Sequence, residues 1–300
     1  MPATALALVL VAALLHALWN VAAKRAGGNH HFVMLSALGI VGLWAPVGLW
    51  AAWQELHRWD ALAWGLVAAS AVTHLVYFNV LLAGYRAADL TVVYPVARGT
   101  GPLLSALCAW WLLAETPGPL GVLGVLAVCG GIWLIAGGPA LWARAQQPAE
   151  RQRVQAGLRW GALTGVLIAA YTVVDGYAVK VLLVSPILVD YFGNLLRIPF
   201  MAPACWRDRA GFADALRTQW KHALVMATLS PLAYVLVLYA ARLAPLSHVA
   251  PAREVSMLFA ALIGGRLLGE TDRGWRLAGD RKSTRLNSSH SQQSRMPSSA

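Results

Sequence analysis

Charged side chains are scarce in this sequence: Asp, Glu, Lys and Arg make up 12% of the 300 residues, and only 13 are acidic, whereas a soluble domain carries about 25% charge. That shortage excludes an ordinary soluble fold. Cysteine is rarer still. Cys108, Cys129 and Cys205 stand isolated in apolar segments with no C-x-x-C pair or Cys/His cluster, so neither a disulfide framework nor a metal site is read. Residues Met1 to Ala23 contain no Lys, Arg, Asp or Glu; lacking the positive start of a cleaved signal peptide, they are expected to form a retained first span. Also missing are G-x-x-x-x-G-K-[ST], H-E-x-x-H and G-x-S-x-G, one of which an ATP-driven pump or a hydrolase would need. The reading is therefore not an enzyme.

What is present is apolar: 58% hydrophobic residues and 14 Trp, with a net charge of +11. The basic residues cluster between apolar runs, which makes anionic lipid headgroups, not nucleic acid, their expected partner. Windows of about 20 apolar residues, the length that crosses a bilayer, fall at 3–23, 31–53, 61–84, 90–113, 118–138, 158–179, 185–205, 220–241 and 245–268. Loops after the odd-numbered spans hold 13 Lys and Arg and the others hold 3 (Arg58, Lys180 and Arg242), a bias that puts the N-terminus outside. Trp44, Trp50, Trp53, Trp59, Trp64, Trp110 and Trp111 lie near span ends, as interfacial anchors do.

The most polar internal stretch, Arg144 to Gln155, divides the chain into a first half at 1–138, a linker at 139–157 and a second half at 158–279. Residues 280–300 turn abruptly polar; Asp280 to His290 resembles a reading frame of a sequencing adapter and is left out of fold reasoning. The halves repeat each other. Arg98 and Arg253 are 155 residues apart, and the same offset lays Leu112–Thr116 ("LLAET") over Leu267–Thr271 ("LLGET"), while an offset of 156 lays Lys24 over Lys180. Five spans is an odd number, so the second copy enters the membrane from the opposite side. The expected fold is an all-α polytopic bundle of two inverted five-helix repeats, with a truncated tenth span.

His16 to Ala26 ("HALWNVAAKRA"), Ala83 to Leu104 ("AGYRAADLTVVYPVARGTGPLL") and the "LLGET" segment resemble the EamA family of the drug/metabolite transporter superfamily. The resemblance implies ten helices in two inverted repeats, a central cavity, no cofactor, and export of small metabolites across a bacterial inner membrane. It also implies cytoplasmic termini, against the charge count.

Arg98 is the only charge between Leu90 and Ala114. Pro102 lacks an N–H and clashes with the carbonyl four residues earlier, which is that of Arg98, so Gly99, Gly101 and Pro102 are expected to break the helix there. Broken backbone at membrane depth must line a cavity or be buried, and an Arg beside it suits a carboxylate or phosphate. The alternative is an Arg that snorkels or pairs with Asp175, Asp190 or Glu254. Arg253 carries the same two readings in a span loosened by Pro251, and neighbours on a helix do not face each other, so Arg253 and Glu254 are not expected to pair.

Asp190, Asn194 and Arg197 stand at i, i+4 and i+7, on one face: either a self-neutralising stripe or a wall of the substrate path. Asp175, four residues after Tyr171, is the first candidate for a proton-carrying carboxylate, with Asp190 and Glu254 competing. His16, Trp19, Asn20, His74, Tyr77 and Asn79 are either interhelical hydrogen-bond glue or substrate contacts. Glu115 and Glu270 are read as capping the next helix. The function expected is a secondary transporter of small polar metabolites, amino acids or related organic anions, with proton coupling and oligomeric state open. A lipid-headgroup-handling protein and a truncated non-functional fragment are the alternatives.

Overall fold

A computed structural model describes residues 1–26, 29–116, 118–135 and 146–257 and the single positions 138, 143 and 259. The described chain is helical: α1 Ala3–Arg25, α2 His30–Leu43, α3 Ala45–Glu55 and a 3-10 turn Leu56–Arg58, then α4 Ala61–Ala87, α5 Leu90–Leu112, α6 Pro119–Ile135, α7 Pro148–Lys180, α8 Pro186–Arg207, α9 Arg209–Leu243 and α10 Leu246–Arg253. Each apolar window of the sequence coincides with one of these helices or a linked pair, and the protein is a polytopic helical membrane protein. The ninth window runs on beyond the described residues, which also leave out Glu270 and the expected tenth span.

Two windows were drawn too short. Helix α7 starts at Pro148, ten residues before the expected 158, so the second part of the supposed linker is helical; Pro148 suits a first turn because its missing N–H would be unpaired there anyway. Helix α9 starts at Arg209, where the Asp208 side chain accepts a hydrogen bond from Gly211 N. Its 35 residues rise about 52 Å at 1.5 Å each, well beyond the hydrocarbon core. The second window is a bent pair: α2 and α3 meet at Trp44 with an angle of 62°, where Pro46 in the first turn of α3 withholds a donor from the ladder.

Packing crosses between the halves. Helix α5 lies along α7 and α1 along α9, α4 packs on α7, and α2 packs on both α8 and α9. The α4–α7 and α9–α1 contacts are equivalent under the sequence offset, as are α2–α9 and α8–α4, the pattern a two-fold repeat produces. The α5–α7 seam is made by glycine. Gly157, Gly161 and Gly165, one per turn of α7, receive Val92, Val96 and Thr100 of α5, and an added Cβ would stand 2.8, 2.8 and 2.6 Å from the nearest atom. Small residues at four-residue spacing let helix backbones approach closely where lipid gives no hydrophobic drive for association.

Glu115, just past α5, caps no helix of its own half. Its carboxylate accepts from Leu246 N at 2.6 Å, Ser247 N at 2.9 Å and Ser247 Oγ at 2.8 Å, at the start of α10, and pairs with Lys180 Nζ at 2.7 Å. The expected cap is thus real but on a distant helix, because the free amides of α10 point at this loop. Arg242 closes the other end of the joint, donating to the carbonyls of Val179, Leu183 and Val184. Although burial works to raise it, the donors from Lys180, Ser247 and Leu246 hold the Glu115 carboxyl below its usual range. A depressed carboxylate gives stability that is present at neutral pH and lost as pH falls through its folded value. Thermal unfolding in detergent should therefore show wild type losing its advantage over Glu115→Gln once pH drops below the ordinary value of 4.5, with the variant about 1–3 kcal/mol less stable at pH 7.

Candidate functional site

Helix α5 carries Arg98 into the bundle interior, where it is 7% exposed. The helix does not break there: it is continuous from Leu90 to Leu112 through Pro95 and Pro102. A proline removes one donor from the ladder, and the loss is absorbed by tight burial. Gly101 sits against Ile168 of α7, where an added Cβ would come within 2.7 Å, and the Cys129 thiol of α6 reaches the Gly99 carbonyl at 3.6 Å. The two glycines thus serve close approach to neighbouring helices.

The Arg98 guanidinium donates through Nη1 to Glu254 Oε1 at 3.3 Å and through Nη2 to His16 Nε2 at 2.8 Å, and lies 5.4 Å from the centre of the Tyr94 ring. Because a guanidinium only donates, His16 Nε2 must accept, which fixes the proton on Nδ1. Of the two expectations for Arg98, internal pairing is observed, and the acid is Glu254. Arg253 Nε also lies 3.8 Å from Glu254 Oε1, so these neighbours do meet. The sequence reading applied helical geometry to them, but α10 ends at Arg253 and Glu254 belongs to the turn that follows. Glu254 therefore serves two buried arginines. Its Oε2 has no hydrogen-bond partner, nor have Nε and Nη2 of Arg253.

A second group of polar side chains lies within electrostatic reach of Arg253. Asp175 of α7, 1% exposed, accepts from the Tyr234 hydroxyl of α9 through Oδ2, while Oδ1 has no partner. Tyr171, expected beside Asp175, instead stacks on His74 with ring centres 3.9 Å apart and meets Tyr77 edge-on at 5.7 Å. Ser70 holds the His74 Nδ1 through its backbone carbonyl at 2.9 Å. Asp190 interacts electrostatically with Arg197 and Asp175. The α8 stripe is inward, yet its hydrogen bonds run to backbone: Asn194 Nδ2 to the Asp190 carbonyl at 2.8 Å and Arg197 Nε to the Gly193 carbonyl at 2.7 Å.

In α1, Trp19 packs edge-on against His16 at 4.8 Å and its buried Nε1 has no partner. Asn20 donates to the His16 carbonyl at 2.7 Å, and Asn79 is exposed and bonds the Leu75 carbonyl, so neither amide hydrogen bonds to the ionic groups. Trp50, Trp53, Trp64 and Trp111 are exposed. Trp44 is half-buried, and its Nε1 donates to the Ala227 carbonyl of α9 at 2.9 Å. Tyr234 was not foreseen, because an aromatic residue in an apolar run gives no sign of facing a carboxylate 59 positions away.

Residues 3–137 match the model of the EamA-like transporter family. This part of the chain is thus similar to that family. EamA-like proteins are membrane transporters, not enzymes. No curated protein matches the chain. A solved structure described only as "Crystal structure of protein" is 19% identical over 89% of this chain and 99% of its own, with a TM-score of 0.49. The EamA-like segment supplies His16, Trp19, His74, Tyr77 and Arg98; Asp175, Asp190, Asn194, Tyr234, Arg253 and Glu254 come from beyond it. The Arg98–Glu254 pair joins the two parts.

Removing one member of a buried ion pair leaves an uncompensated charge, costing about 3–5 kcal/mol. Glu254→Gln, which strands two guanidinium groups, should destabilise the detergent-solubilised protein by that amount in denaturant unfolding. Arg98→Met combined with Glu254→Met should recover part of it. Equal losses in the single and double variants would show that the pair is not coupled.

Proposed function

We propose that the protein is a secondary transporter of small polar metabolites carrying a carboxylate, such as amino acids or related organic anions, working by alternating access in a bacterial inner membrane and in the direction of export. The observation that carries this reading is Arg253: a guanidinium only 5% exposed, with Nε and Nη2 making no hydrogen bond, whereas Arg98, the other buried arginine among the described residues, is bonded to Glu254 and His16. Buried donors are almost always satisfied, and a planar cation with free N–H groups matches a carboxylate. The unpartnered Oδ1 of Asp175 supplies the acceptor that an α-ammonium group needs.

Proton coupling is assigned to Asp175 ahead of Glu254. Glu254 is paired with Arg98 and lies beside Arg253, so it already has cationic partners inside the bundle. Asp175 bonds neutral hydroxyls, those of Tyr234 and Ser70, so it can take up and release a proton as access alternates.

The test is exchange of radiolabelled amino acids and dicarboxylates in proteoliposomes with an imposed pH gradient. For the substrate that exchanges, Arg253→Gln should lower apparent affinity by about tenfold or more, the worth of one charge-assisted bond of 1.5–3 kcal/mol, with size-exclusion behaviour unchanged. Asp175→Asn, whose amide oxygen can still accept from an ammonium group, should leave exchange measurable at lower affinity and abolish its response to the gradient. Flux that ignores the gradient in wild type overturns the coupling, and unchanged affinity in Arg253→Gln overturns the site.

A further inference from the structure

The α2 start and the α8–α9 corner meet away from the ionic core, and three potential metal ligands meet with them. Nothing in the sequence spacing announces this, since His31 and Asp208 are 177 residues apart. In the fold, one ligand atom each from His30, His31 and Asp208 lies within 4.8 Å of the others. His31 Nε2 is 2.9 Å from Asp208 Oδ2, and the rings of His30 and His31 are 3.8 Å apart. We propose that these residues form a site for a divalent transition-metal ion of the zinc class, which staples α2 to the corner between α8 and α9.

Four features support a site over a chance encounter. First, two imidazoles and one carboxylate form a donor set that suits zinc, copper or nickel and not magnesium or calcium, which take oxygen ligands. Second, the ligands are oriented. Asp208 uses Oδ1 to accept from Gly211 N at 2.9 Å, which turns Oδ2 toward the imidazole, and Phe212 packs edge-on against the His31 ring at 6.2 Å. Third, Gly211 keeps the pair uncovered: a Cβ there would stand 2.7 Å from His31 Nε2 and closer still to Asp208 Oδ2. Fourth, the site is half open. His31 is buried at 3%, while His30 and Asp208 are exposed, so an ion can enter from water and complete its shell with water.

The His31–Asp208 contact already links the elements without an ion, as a hydrogen bond. An ion would replace that single proton-mediated contact with three coordinate bonds across the same gap, so binding must raise the stability of the folded protein by mass action. The proposal stands apart from the transport reading, and its readouts need no flux.

The test uses the full chain in detergent, purified through a tag without histidine. Titration with zinc chloride by calorimetry should show one site per chain, and unfolding temperature should rise with zinc and not with magnesium. His30→Ala and Asp208→Asn should each weaken zinc binding by at least the 10–100-fold that loss of a supporting partner costs elsewhere, about. The asparagine can still accept from Gly211 N, so the corner keeps its cap. Gly211→Ala should weaken zinc binding without removing any ligand. Absence of saturable zinc binding overturns the proposal, and so does binding that survives His30→Ala within twofold; His30 is exposed, so that variant tests the site even if Asp208→Asn unfolds.

Discussion

A guanidinium cannot be left in hydrocarbon without a partner, and two of them lie buried among the described residues of this bundle. Arg98 and Arg253 are brought in on α5 and α10 and depend on a single carboxylate, Glu254, at the turn that ends α10. The rest of the interior is arranged around that shortage of negative charge. His16 contributes an acceptor nitrogen to Arg98, the Tyr94 ring lies beside the same cation, and Asp175 and Asp190 add buried carboxylates within electrostatic range. In a medium of low dielectric, such groups act on one another over distances that water would screen.

The shortage is also what makes the interior chemically useful. A bundle that neutralised every buried donor would have nothing to offer a solute. Among the buried polar atoms without a hydrogen-bond partner are N–H groups of Arg253 and one oxygen each of Glu254 and Asp175, donors and acceptors of opposite sign. Around them the aromatic groups Tyr171, His74 and Tyr77 stack in a fixed order.

The helices were legible because composition and span length decide them, and the inward residues because an ionisable group in an apolar run has few places to go. The repeat offset of Arg98 and Arg253 found the two cations that share Glu254. What failed were inferences that assumed local geometry. Pro102 was read as a break, yet packing against α7 holds the helix continuous; Glu254 was denied to Arg253 on helical spacing that ends one residue earlier; Glu115 was given to the nearest helix when its partners are 131 and 132 residues away. The contacts of Tyr234, Trp44 and the His30–His31–Asp208 group are set by tertiary proximity, and no local pattern encodes them.

The glycine ladder on α7 has a mechanical consequence. With Val92, Val96 and Thr100 seated in successive notches, α5 cannot slide along α7 without lifting each side chain over a ridge. The two helices are locked together, although one comes from each half of the sequence. Any body of this bundle that contains α5 and α7 is therefore not one half of the gene but a composite, assembled from a piece of both.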